Sequence, residues 1–213
     1  MIVNRTTDRN IIADAYGVHV KDAYELVKMS KKPVHRYLRR LPTNIRELLY
    51  DKNHKIIGFS HRFPNVSIDL SQLQPLMNQL VDSERPYDKE RFKNFEMDMS
   101  PENYQAFMNR KTENTHDLIY LDDTLTKIIG FIRCHFCELD NGEKYLYVYN
   151  FVVDKNYRGK GIGKDMLQRA ENVAFNSKCK YIVLSVYRVN KAIKLYKSLG
   201  FNEIKEYSEL WEQ

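Results

Sequence analysis

At 213 residues, 43% of them hydrophobic and 29% charged, the chain is long enough to bury a core without crosslinks and too apolar to be disordered. No run approaches the roughly 20 apolar residues of a membrane helix, and three cysteines, an odd number, give no disulfide framework. The formal charge of +6 favours polyanionic partners, and a multiply phosphorylated cofactor satisfies it as well as a nucleic acid does.

The N-terminal region, residues 1–95, begins with Met1-Ile2-Val3-Asn4-Arg5, which lacks the apolar run of a signal peptide, so the expected compartment is the cytoplasm. Asn10–Met29 carries Ile12, Tyr16, Val20, Ala23 and Val27 at three- and four-residue spacing, which predicts a helix. Gly17 divides it, and a small residue before and after that glycine gives the spacing of a helix-turn-helix. A basic cluster, Lys28, Lys31, Lys32, Arg36, Arg39 and Arg40, follows and offers phosphate contacts. The other reading makes Asn10–Arg40 two ordinary helices of the fold, with the cluster a solvated face. Arg46–Asp51 and Lys55–Phe59 read as paired strands, and Leu70–Val81 as a helix. Ser83–Lys89, with Pro86, reads as a connector, and Ser100-Pro101 as a helix start.

The region from 96 to 213 is clearer. Asp117–Asp122, Lys127–Glu138 and Lys144–Asp154 read as successive strands, the last two joined through Asp140-Asn141-Gly142. An amphipathic helix runs to Asn176, with Ile162, Met166, Leu167, Ala170 and Val173 on one side. Lys180–Val186 is a strand, Lys191–Leu199 a helix stopped by Gly200, and a last strand starts at Phe201. The order predicts an α/β (α+β) fold, a mixed, mainly antiparallel sheet flanked by helices. Lys55-Ile56-Ile57-Gly58-Phe59 recurs as Lys127-Ile128-Ile129-Gly130-Phe131, without the sustained period of a repeat architecture.

Between the third strand and its helix lies Arg158-Gly159-Lys160-Gly161-Ile162-Gly163. Glycines let backbone approach a ligand, and the free N–H groups of a helix start favour phosphate. Arg158, Lys160 and Lys164 add positive charge there. A dinucleotide fingerprint opens a βαβ unit and is spaced differently, and a P-loop needs Gly-Lys-Ser/Thr.

Val152-Val153-Asp154 with Tyr157 to Gly163 resembles the pyrophosphate-binding motif of GNAT acetyltransferases, and Asn190 with Ala192 to Phe201 is similar to their second signature. The resemblance covers about residues 117–207 and implies a GNAT-like acyl-CoA N-acyltransferase fold that moves acetyl from acetyl-CoA to a primary amine on a small molecule or protein. It places Phe151, Val152 and Val153 along the pantetheine arm. The pyrophosphate falls on Arg158, Gly159, Lys160, Gly161, Ile162, Gly163 and Lys164, with Asn190 nearby. A backbone N–H near Val152 would polarise the thioester carbonyl, and Tyr196 matches the general acid. Homodimers are common among relatives.

Two departures stand out. Asn190 lies six residues before Tyr196 where the family commonly has seven, which suits a helix cap. Strand positions that hold a catalytic Glu in many relatives hold Tyr147 and Tyr149, leaving water, His135 or Glu138 as candidate bases. Cys134-His135-Phe136-Cys137 is no half zinc site, because side chains alternate along a strand and no second close pair exists. The competing expectation is a nucleic-acid-binding or regulatory protein that uses Gly17 and the basic cluster, with a non-catalytic GNAT-like fold.

Overall fold

The computed structural model describes residues 23–29, 45–50, 56–60, 69–86 and 114–203. Among them run eight strands: β1 (Ala23–Met29), β2 (Ile45–Tyr50), β3 (Ile56–Ser60), β4 (Thr115–Leu121), β5 (Ile128–Glu138), β6 (Lys144–Val153), β7 (Tyr181–Tyr187) and β8 (Asn202–Glu203). Three α-helices accompany them: α1 (Leu73–Glu84), α2 (Ile162–Asn176) and α3 (Ile193–Ser198). The strands form one sheet in the order β3-β2-β4-β5-β6-β7-β1-β8. Only β6–β7 is parallel, joined through α2, and every other neighbouring pair is antiparallel. The mixed, mainly antiparallel sheet is the one the strand and helix order implied.

The expected helix over Asn10–Met29 fails where it can be seen: Ala23–Met29 is a strand, paired residue for residue with Tyr187–Tyr181. A four-residue spacing such as Ala23 to Val27 also suits a strand, where side chains alternate, and β1 is paired with β7 on one side and β8 on the other. The second helix of a helix-turn-helix is thereby lost from Ala23 onward. Lys28, counted with the basic cluster, pairs with Glu171 of α2 at 2.8 Å. Gly17, the cluster beyond Lys28 and the Ser100-Pro101 start lie outside the described residues. Helix α1 runs to Glu84, into the expected connector, before Arg85 and Pro86 turn the chain.

The sheet has two covered faces. On one, α2 lays Ile162, Met166, Leu167, Ala170, Val173 and Ala174 against Leu118, Ile132, Leu146, Val148, Ile182 and Leu184. The approach is close: a Cβ at Gly130 of β5 would lie 2.6 Å from the Met166 sulfur. On the other, Ile119, Leu121 and Phe131 are fully buried, and α1 supplies Leu73, Leu76, Met77 and Val81 over β5 and β6. Cys134 belongs to the first face and Cys137 to a tyrosine cluster on the second, as strand alternation requires. No described helix is long and apolar enough to cross a membrane.

Candidate active site

Strand β6 pairs with β7 only from Tyr145/Tyr181 to Val148/Leu184, and beyond that the two part. The parting coincides with a bulge: Val148 stands opposite Cys134, Asn150 opposite Arg133, and Tyr149 is the extra residue. The bulge reverses the alternation, so Phe151 and Val153 join Leu146 and Val148 on the α2 face. It also decides which amides face the gap. Asp154 N–H donates to the Ile129 carbonyl at 2.9 Å, which makes Val153/Gly130 a pair whose amides turn away from each other. Phe151 and Val153 therefore offer N–H and C=O to the gap, whereas the amide of Val152 faces β5. Arg158 Nε takes the Val153 carbonyl at 2.9 Å on the open side.

The chain then enters the glycine loop. The Asp154 carboxylate caps the short turn Lys155–Tyr157 by accepting from Asn156 N–H at 2.9 Å. The ammonium groups of Lys127 and Lys160 lie over the Tyr157 ring, 5.1 and 4.9 Å from its centroid. Gly161, the N-cap of α2, holds φ +86°, a left-handed backbone that favours glycine. A Cβ there, or on Gly159, would meet no atom within 4 Å, so the space above the loop is open. Asp165 N–H closes the first turn on the Gly161 carbonyl at 3.1 Å, and the amides before it point out of the helix. Gly163 serves packing: a Cβ would come within 3.2 Å of both Leu195 and Phe151, so glycine lets α2, α3 and β6 converge. Outward amides, the helix dipole and the exposed Arg158, Lys160 and Lys164 make an anion cradle at one end of the gap. A group with phosphates at one end and an extended amide-bearing arm fits it.

Tyr196, on α3, packs against Phe151 of β6 in the core on the α2 face. Its ring is buried between Phe151 and Phe201, at centroid distances of 6.3 and 6.0 Å. Burial pushes the hydroxyl pKa well above its ordinary value, and the negative charge of Glu84 adds to the shift. The hydroxyl keeps its proton at neutral pH. Asn190 sits before α3 and accepts from Ala192 N–H at 2.9 Å, so its side chain closes the turn that leads into the helix, whose N-cap is Ala192.

Among the described residues around the bulge, none is a strong base. His135 packs edge-on to Tyr149 at 5.1 Å. Burial lowers its pKa to about 4, helped by the nearby Arg133 cation, which is itself held by a bidentate bond to buried Asp117. A neutral imidazole that resists protonation this strongly is a poor acceptor of a proton from an ammonium group. Glu138 is exposed at the far end of β5, opposite Lys144. The Tyr147 hydroxyl donates to Ser185 Oγ at 2.9 Å. Glu84, whose charge reaches the Tyr196 hydroxyl, is the last residue of the α1 helix, and a carboxylate at a helix end carries no local motif in the sequence.

The chain belongs to the acetyltransferase (GNAT) family, whose model matches residues 77–201. It is 42% identical over 64 residues to a probable spermine N(1)-acetyltransferase of Bacillus subtilis subsp. natto, covering 29% of this chain and 42% of that one. It is 33% identical over 85 residues to the thialysine N-epsilon-acetyltransferase of Mus musculus, covering 39% and 49%. In both, the matched stretch spans less than half of the relative. The fold is similar to that of the BH1408 protein of Bacillus halodurans, with TM-score 0.56 and 24% identity over 65% of this chain and 90% of that one. The family match starts within α1, so β1, β2 and β3 lie outside it.

Proposed function

We propose that the protein is an N-acetyltransferase that moves acetyl from acetyl-CoA to a primary amine by direct attack. The observation that carries this is the parting of β6 from β7 at Tyr149, with the glycine loop following β6 and the Tyr196 ring packed on Phe151 of β6. Acetyl-CoA supplies an activated acetyl group as a thioester.

The residues divide the work as follows. Amides of the first turn of α2, with Arg158, Gly159, Lys160, Gly161, Ile162, Gly163 and Lys164, hold the pyrophosphate. The open edge of β6 from Phe151 to Val153 pairs with the amide-bearing arm. The carbonyl is polarised by an N–H near Val152, that of Phe151 or Val153, the two that face the gap. Tyr196, protonated at neutral pH, gives its proton to the departing sulfur. An alkylamine must shed a proton before it attacks, since its pKa lies near 10.4.

Strands β1, β2 and β3 share the sheet with the C-terminal strands, which supports a role for residues 1–95 in completing the fold. The three cysteines are free thiols, in keeping with a reducing cytoplasm. The test is turnover of acetyl-CoA with a panel of amines, compared with Tyr196→Phe. The proposal expects acetyl transfer by the wild type and a loss in kcat in the variant, with cofactor affinity kept. A wild type that binds acetyl-CoA but transfers to no amine would contradict it.

A further inference from the structure

The turn that joins the open edge of β6 to the glycine loop is closed from outside, by helix α1. Lys155, Asn156 and Tyr157 form the turn, and a helical turn leaves its first amides without acceptors of their own. Two are met locally: Asn156 N–H donates to Asp154 Oδ1 and Tyr157 N–H to the Asp154 carbonyl, both at 2.9 Å. The third is met by α1, since Lys155 N–H donates to Gln79 Oε1 at 2.8 Å. The same carboxamide donates through Nε2 to Asp154 Oδ2 at 3.4 Å. Gln79 thus holds both the backbone of the turn and the carboxylate that caps it.

Asp154 is where these parts meet. It is buried, its N–H donates to Ile129 of β5, and its carboxylate lies 4.0 Å from the Lys127 ammonium. Lys127 in turn shares the Tyr157 ring with Lys160 of the glycine loop. Only residues 154–157 lie between Val153, the end of the open edge, and Arg158, the start of the loop. A ligand that lies along β6 and rests its phosphates on the loop uses both at once, so this turn sets the angle between them. A second glutamine fastens the same helix elsewhere. Gln72, just before α1, accepts from Ile128 N–H at 2.9 Å and donates to the Thr126 carbonyl at 3.2 Å, at the start of β5.

We propose that Gln79 is a positioning residue for acetyl-CoA, acting through Asp154 and Lys155 on the angle between the β6 edge and the glycine loop. The inference rests on the reading of that edge and loop as the cofactor site. Gln79 belongs to α1, which packs over β5 and β6 on the face opposite α2, so it works without touching the cofactor. When its carboxamide is lost, the turn keeps its two local bonds and loses its tie to α1. The arrangement that fits the cofactor is then one of several, and the apparent affinity falls by the fraction of time it is adopted. Stability changes little, because Lys155 is exposed and water takes over its amide.

The test is calorimetric titration of acetyl-CoA into the full chain. Gln79→Leu should weaken binding about tenfold, the worth of a hydrogen bond to a charged group. Gln72→Leu, which loosens the same helix away from the turn, should bind as the wild type does. Gln79→Glu keeps an acceptor for Lys155 N–H but sets two carboxylates together, and should also bind weakly. Adding Asp154→Asn restores a donor facing an acceptor at both contacts, and most of the affinity should return. Thermal midpoints of Gln79→Leu and Gln72→Leu should stay close to that of the wild type. If Gln79→Leu does not fold, the isosteric Gln79→Glu and its double variant decide the matter. Wild-type affinity in Gln79→Leu or Gln79→Glu, an equal loss in Gln72→Leu, or no recovery in the double variant overturns the inference. A wild type that binds no acetyl-CoA contradicts the cofactor site and this inference with it, whereas binding that ignores Gln79 contradicts this inference alone.

Discussion

The Tyr147 hydroxyl lies 2.9 Å from Ser185 Oγ, one residue beyond the last main-chain pair between β6 and β7. The bond links the strands by side chains just where the backbone ladder ends, and so marks the root of the gap. Tyr147→Phe and Ser185→Ala should each cost about 1 kcal/mol of stability, and the double variant less than the sum. Thermal unfolding of the four proteins measures the coupling, and strict additivity would show that the bond does not hold the strands.

Strand β1 should matter more than its distance in sequence suggests. It fills the place between β7 and β8 and holds β7 along its whole length, leaving β7 free to part from β6 on the other edge only. Val27→Pro removes a ladder donor inside a central strand, at a cost of about 3 kcal/mol or more. The thermal midpoint should fall sharply. An unchanged midpoint would mean that β7 is stable without this partner.

Tyr196→Phe removes one hydroxyl and keeps the ring between Phe151 and Phe201. With a general acid lost, kcat should drop by about 100-fold. Acetyl-CoA affinity should hold, because the cradle lies on α2. A variant with full kcat would assign the proton to another donor.

His135 gives the fold a dependence on acid. Its pKa is near 4 when folded, against the 6.5 of an exposed histidine, so the unfolded chain binds the extra proton between those values. The stability owed to neutral His135 is complete above pH 6.5 and is lost as pH falls towards 4, by about 3 kcal/mol at most. His135→Gln should flatten the thermal midpoint between pH 6.5 and 4 relative to wild type. Parallel curves would place the acid sensitivity elsewhere.

The legible part of the sequence was the part whose signals are local. Alternating Tyr and Val in Lys144–Val153, the glycines after it and the apolar stripe from Ile162 each report their own structure within a few residues. The N-terminal strand did not, because Ala23–Met29 is chosen by partners near residues 181–187 and 202–203, and its spacing fits a helix as well as a strand. The bulge at Tyr149 arises from how β5 and β6 register, which no residue of β6 announces alone. It turns the amides of Phe151 and Val153, the two neighbours of Val152, toward the gap.

The most direct test of the account is calorimetric titration of acetyl-CoA into wild type, Gly161→Asp and Gly142→Asp. Both glycines hold a positive φ with open space around them, but Gly142 lies in the β5–β6 turn, so it reports backbone strain without the cradle. The account predicts micromolar binding by wild type and Gly142→Asp, and none by Gly161→Asp, where strain and a carboxylate meet the pyrophosphate. Binding of equal strength by all three, or by none while all remain folded, would contradict the assignment of the α2 loop as the cofactor site.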